Sequence, residues 1–425
     1  MRVSSQVIKN HLSGLFSATL MLLLIFSSGS RLCGQEDEAV WLGGEGRTCN
    51  EDPHCINRLH PDIPMAARVS PGQMVVLKTR NASDFDLDPA STYDDPRRQG
   101  PPGSTVHPLT GPVHIEGAKA GNVLAVTLLD IAPGPYGYTV LHSIGFVADR
   151  FPTGYRVLWE LNRKEARSED LPGVRIPNGS FPGVVTTLPG PAQLKEMLAR
   201  EQTLADAHGV VSLPQPVNAT PAEVCGPQGS APRECLRTIP PREHGGNVDI
   251  RYLRPGVTVY LPCYIDGCGL AVGDLHFAQG DGEVSGTAIE MDAAVTLTTE
   301  IVRDGPNLER GIHFEGPATA LHIPSRRFYA TTGFPLKEKG QVPPDMQYLQ
   351  SGKVAGLENL SKDISLAARN ALLAMIEHIS TTYDLTPEQA YLVCSVAVDL
   401  RIAQLVDSPN VGVTALLPVD IFTGR

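Results

Sequence analysis

The sequence predicts a mainly β, α+β fold, and three observations carry the prediction. Its apolar runs are short and β-branched, as in Val257-Thr258-Val259-Tyr260-Leu261 and Val284 to Ile289. Glycine (41) and proline (36) are abundant, which favours many short strands and turns over long helices. A 3.6-residue apolar period sets in only after Ser361. At 425 residues the chain suits two or three domains, or one large β domain with an appended part.

Residues 1–34 read as a secretion signal: Arg2 and Lys9 form a basic start, Leu12 to Phe26 an apolar run, and Ser27 to Ser30 a small-residue end. The run is short of the ~20 apolar residues of a permanent span. Export to a secreted or periplasmic location follows, with no membrane partner after cleavage. Six of the eight cysteines lie at close spacings (Cys49/Cys55, Cys225/Cys235, Cys263/Cys268), where each pair can close a small loop in an oxidising compartment. Cys33 falls near the cleaved part, and Cys394 sits on an apolar helix face as a buried thiol.

Residues 35–63 form a turn-rich N-terminal extension, and the β pattern of the main domain covers 64–360. Ala66 to Val69 and Met74 to Leu77, joined at Pro71-Gly72, predict a hairpin. Asp84 to Gln99, with Asp94 and Asp95, predicts a solvated acidic loop. Val113 to Ile115, Val123 to Leu129, Tyr138 to Leu161, Val284 to Ile289, Val295 to Ile301 and Ala318 to Ile323 supply further strands. An insertion at about 190–236 carries one helix (Ala192 to His208) and the Cys225/Cys235 loop. Residues 361–425 close the chain with two helices. The first has Ile364, Ala367, Ala371, Leu372, Met375 and Ile379 on one face. The second, Ala390 to Ala403, is preceded by the capping sequence Thr386-Pro387-Glu388-Gln389.

The functional residues concentrate between Arg242 and Glu290. G-x-S-x-G, the Walker A loop and H-E-x-x-H are absent, and the glycines at 280, 282 and 286 make no dinucleotide fingerprint. What remains is carboxylates and imidazoles on β turns, the material of a metal site or of acid/base work. Asp274-Leu275-His276 places two ligand types on one face of an extended segment. A divalent ion bound there takes a third ligand from Glu290 or Asp249. The plainer alternative has Asp274 capping a turn and His276 bonding a buried carbonyl, and the density of acids argues against it. Asp281 and Glu283 repeat the same spacing: Glu283 suits a proton-transferring base and Asp281 a role in fixing the backbone. The expected catalytic set is Glu283, Asn247, Gln279 and Asp281. Asn247, with backbone N–H groups near Gly245 and Gly246, suits binding of a carbonyl oxygen.

At GGNVDI and VGDLHFAQGDGEVSGTAIE the sequence resembles the acetamidase/formamidase family. HPLTGPVHIEGAKAGNVLAV, GFVADRFP, TIPPREHGGNVDI, VYLPCYIDG and AYLVCSVAVDLRIAQLVDSPNVGVTALLP extend the resemblance, in order, over roughly residues 60 to 420. The resemblance implies a β-sandwich-type fold of two packed sheets with an α/β C-terminal part. It further implies hydrolysis of short aliphatic amides to carboxylate and ammonia, with a divalent metal in some members. The ion expected here is zinc, with calcium as the alternative. The export signal, the Cys49/Cys55 and Cys225/Cys235 pairs and the insertion depart from a standard member, so substrate choice is open. The expected partner is a small amide, and the expected assembly a homodimer.

Two rivals share these residues: a hydrolase of cyclic amides (lactams), and a non-catalytic secreted β protein on the same scaffold. A degenerate relative is expected to have lost some of Asn247, Asp249, Asp274, His276, Asp281, Glu283 and Glu290, and all are present. Nucleic-acid partners are excluded by the net charge of -11 and the lack of any Lys/Arg block.

Overall fold

The computed structural model describes residues 39–92, 103–141, 145–206, 211–308, 311–321, 325–338, 356–404 and 411–423. The expected signal segment, Cys33, Asp94 and Asp95 lie outside them. The fold is mainly β, as the composition predicts. Its centre is a branched 15-stranded sheet; a 3-stranded sheet and two helices form the C-terminal part.

The strands that matter for function are β1 (Val75–Thr79), β2 (Leu109–Ile115), β3 (Val123–Leu141), β4 (Phe181–Thr186), β5 (Gly245–Asn247), β6 (Cys268–His276) and β7 (Glu290–Val302). They pair in the order β3-β7-β6-β4-β5, while β1 joins β7 and β2 joins β6. On one side β7 follows β3 along its whole length. On its other side it meets β6 only at Glu290 and Met291, and β1 from Ala293 to Leu297. The sheet therefore splits at the start of β7, and polar side chains gather at this split. All nine residues of β6 are buried, so it is covered on both faces. Leu124, Val126 and Leu128 of β3 and Val295 and Leu297 of β7 alternate into the main core with Trp159, whose indole N–H donates to Thr139 Oγ1 at 3.0 Å.

Several expectations are corrected here. The Pro71-Gly72 turn forms, but no hairpin follows: Ala67–Val69 runs parallel to β2, and β1 lies between β7 and the strand Val40–Leu42. Residues 284–289 are a buried turn rather than a strand, and Ala318–Leu321 is a 3-10 helix. Asp84 is buried, not solvated, and accepts from the Cys49 N–H at 2.9 Å. The 35–63 extension is stitched into the sheet by Val40–Leu42 and by Cys55–Ile56, which pairs with β2.

Helix α1 (Pro191–Asp206) and the Cys225–Cys235 loop build a second, smaller core with Leu59, Val184 and Ala271. All three close-spaced cysteine pairs are bonded, and Cys394 is a buried free thiol. In the C-terminal part β8 (Phe328–Gly333), α2 (Ile364–Tyr383), α3 (Pro387–Ala397), β9 (Asp399–Gln404) and β10 (Gly412–Pro418) follow one another, and the sheet order is β8-β10-β9. The Thr386/Gln389 capping box closes as its sequence predicts, with bonds of 2.8 and 3.2 Å. The second helix, however, stops at Ala397, short of Ala403. Beyond it the backbone is captured by the 280–281 loop: Leu400 N–H donates to the Asp281 carbonyl at 3.0 Å, and β9 pairs with β10. Among the described residues no helix is long and apolar enough to cross a membrane.

Candidate active site

The site is built where β6 ends and β7 begins. His276, last in β6, stands opposite Glu290, first in β7, with Phe181 of β4 on its other flank. The Phe181 and His276 rings meet edge to face at 5.1 Å. Asp274 lies two residues back on β6, as its spacing predicts. Asp249 arrives from the turn after β5, whose start is tied to β4 by Val248 N–H donating to the Gly183 carbonyl at 3.0 Å. Glu283 reaches in from the 280–289 turn.

These side chains converge. Ligand atoms of Asp249, Asp274 and His276 lie within 4.8 Å of one another, as do those of His276, Glu283 and Glu290. His276 Nε2 is 3.5 Å from Asp274 Oδ2 and 3.3 Å from Glu290 Oε2. Asp249, Asp274 and Glu283 all take left-handed backbone angles, with φ of 46°, 55° and 42°. Such angles are unfavourable for residues other than glycine and cluster where a site over-determines the backbone. Gly183 supplies the room: a Cβ there would lie 2.7 Å from Asp249 Oδ1, 2.8 Å from Asp274 Oδ2 and 2.8 Å from His276 Cε1.

Gln279 orients the imidazole. Its Oε1 is 2.9 Å from His276 Nδ1, and its Nε2 donates to the Asp249 carbonyl at 2.9 Å. Because the amide nitrogen is committed to that carbonyl, Oε1 accepts from Nδ1–H and leaves Nε2 facing the acids. Gln279 is thus a positioning residue rather than a catalytic one.

The electrostatics follow from packing four acids and an imidazole out of water. Burial raises Asp249 to about 7, reinforced by Asp274 and Glu290 against the pull of His276. Burial and the Asp249 charge push Glu283 well above the carboxylate range, and burial raises Glu290. Asp274 is also buried, but His107 and His276 outweigh that and hold it below the ordinary range. Burial opposes a charge on His276, yet Glu290 and Asp274 raise it well above its usual value. The field that draws a proton to this ring equally favours a cation. Asp249 Oδ1, Asp274 Oδ1, His276 Nε2 and Glu290 Oε2 are buried without a hydrogen-bond partner among the described residues, which is the arrangement a divalent ion would satisfy. The residues fit the group.

His107 was not singled out by spacing. Its Nε2 lies 3.7 Å from Asp274 Oδ2, and desolvation lowers its pKa. It comes from far upstream, and the only local signal is its position at the head of the HPLTG run. Gly183 was missed for the same reason. Asp281 is a correction: its carboxylate accepts from the Tyr252 hydroxyl, and it belongs to neither ligand group. Gly282 (φ 108°) and the left-handed Glu283 break the strand alternation that the spacing assumed. Asn247 sits opposite Val184, with its Oδ1 buried and unpartnered. The Gly245 N–H is spent on the Arg242 carbonyl at 3.0 Å, so it does not serve a substrate.

The model of the acetamidase/formamidase family matches residues 45–424. The chain belongs to this family. A formamidase of Methylophilus methylotrophus is 30% identical over 390 residues, covering 88% of this chain and 90% of that protein. An acetamidase of Mycolicibacterium smegmatis is 30% identical over 371 residues, covering 79% and 84%. Among solved structures, a gamma lactamase from Delftia acidovorans superposes with a TM-score of 0.79 at 30% identity, covering 91% of this chain and 94% of the other. Like its acetamidase/formamidase relatives, the chain is an amide hydrolase acting on carbon–nitrogen bonds other than peptide bonds. The non-catalytic rival is thereby set aside.

Proposed function

We propose that this amide hydrolase cleaves short linear amides, of formamide or acetamide size, to the carboxylate and ammonia at the Asp249–Asp274–His276–Glu283–Glu290 cluster. The observation that carries the reading is the convergence of these ligand atoms in two trios that share His276, each within 4.8 Å and several atoms orphaned, inside a family of amidases. Asp249, Asp274, His276 and Glu290 would hold a divalent ion, zinc in the first instance and calcium as the alternative. Such an ion supplies Lewis acidity that polarises a carbonyl or brings the pKa of water to ~7.

The chain's own residues do the rest. Glu283, within reach of His276 and Glu290, would take a proton from water in its ionised form and deliver it to the leaving nitrogen. The Asn247 side-chain amide donates to the carbonyl oxygen as charge develops on it, a contribution of ~3 kcal/mol for one donor. Gln279 holds His276 in the tautomer that presents Nε2 to the acids. Ammonia release from formamide and acetamide by purified, metal-assayed protein tests the reading. Absence of release with both amides and a full metal complement would refute it.

A second reading, ring opening of a γ-lactam at the same cluster, is supported by the 0.79 TM-score to the gamma lactamase. The same panel with a γ-lactam added decides between them. We further propose that the chain is exported, supported by its basic–apolar N-terminus and three disulfides. A homodimer is proposed on the exposed Phe328, Tyr329 and Phe334 of β8 and its flank. Sedimentation velocity tests it, a monomer being the refuting result.

A further inference from the structure

A cavity of about 40 Å³ is lined in part by Gln279. Its walls include Gly179, Arg251, Arg254, Ala278 and Ile421. That volume suits about three waters, or one anion of three or four heavy atoms. Arg251 and Arg254 both line it. Arg251 is 9% exposed, and although its Nη1 is paired with Asp399, its Nε has no partner among the described residues. Arg254 donates from Nε to the Arg251 carbonyl at 2.9 Å and makes no ion pair among the described residues. Its Nη2 would lie 3.0 Å from a Cβ on Gly179. Burial, and then the Arg251 charge, lower Arg254 to about 10, with Asp281 opposing.

We propose that this cavity is a subsite for a small carboxylate of formate or acetate size, bound by the Arg254 guanidinium and the free Nε–H of Arg251. A carboxylate accepts from both donors at once, and Arg is the residue best shaped for it. Formate and acetate are the acids released under the function proposed above, on which this inference rests for its choice of ligand. Gln279 lines the cavity and also bonds His276 and the Asp249 carbonyl. An occupied subsite therefore acts on the catalytic cluster through one side chain, without occupying the place of the amide. The product acid is thus a noncompetitive inhibitor.

The test is calorimetric titration of the purified protein with sodium formate and sodium acetate. Chloride and sulfate form comparison arms. Arg254→Gln is titrated alongside, with Gly179→Ala as the second variant should the first fail to fold. The expected result is saturable carboxylate binding, weakened at least ~10-fold in the variant, with noncompetitive inhibition of ammonia release relieved by the same factor. No saturable binding below ~100 mM would overturn the proposal. So would chloride or sulfate binding as tightly as acetate, a weakening of less than ~10-fold, or purely competitive inhibition. Binding is read without turnover, so the two readings fail separately. Binding without amide hydrolysis sinks the substrate assignment, and hydrolysis without binding sinks the subsite.

Discussion

His276 Nδ1 and Gln279 Oε1 are 2.9 Å apart at the floor of the site, and this bond decides which imidazole nitrogen meets the acids. Replacing Gln279 by Leu keeps the volume but frees the ring. Activity or metal affinity is expected to fall ~10–100-fold, the usual effect of losing such a support. Steady-state kinetics with metal analysis checks it, and wild-type values for both would show that Gln279 orients nothing.

Gly183→Ala places a methyl group where three site side chains already crowd. The strand around it is fully buried and has no room to shift. Loss of kcat/KM by ~100-fold or more is expected, together with loss of metal uptake. A variant that binds metal and turns over normally would mean the cluster tolerates an added carbon.

Chelation is expected to abolish ammonia release, with recovery on adding zinc or calcium in proportion to metal bound. His276→Ala removes the only imidazole shared by both ligand groups and is expected to lose metal and at least ~1,000-fold in rate. Elemental analysis of active protein showing no stoichiometric metal would remove the ion from the mechanism.

Asp84 gives a pH prediction away from the site. Burial raises its carboxyl to about 6, partly offset by the Cys49 N–H, whereas the unfolded chain titrates at ~3.9. The folded state therefore takes up its proton first as pH falls. This group's contribution to stability rises through about pH 6 and is complete below ~3.9, where both states are protonated. Asp84→Asn removes the buried charge and keeps an acceptor for Cys49. It is expected to stabilise the fold by ~1–2 kcal/mol at pH 8, with the gain vanishing below pH ~4. Urea unfolding at the two pH values measures this; a variant less stable at pH 8 would show that the ionised carboxylate is the favoured form.

Local patterns were legible where local physics decides them. The Thr386 capping box, the three close cysteine pairs and the Asp274/His276 spacing each depend on neighbours in sequence, and each is realised. The Asp281/Glu283 spacing read the same way and misled, because two successive positive φ angles rotate one carboxylate toward Tyr252 and the other toward His276. His107 and Gly183 contribute through sheet pairing across long stretches of chain, which no window of sequence displays. Asp399–Gln404 continued a helical pattern but became a strand, since β10 and the 280–281 loop offered its backbone partners.

The contact between Gly280 and Val398 is close. A Cβ at Gly280 would lie 2.0 Å from the Val398 carbonyl oxygen; Gly280 N–H donates to Ser395 at 2.8 Å, and Asp281 N–H to the Asp399 carboxylate at 3.2 Å. The turn that delivers Glu283 is therefore moulded on the end of α3 and the start of β9. The turn and the C-terminal part thus take their shape from each other.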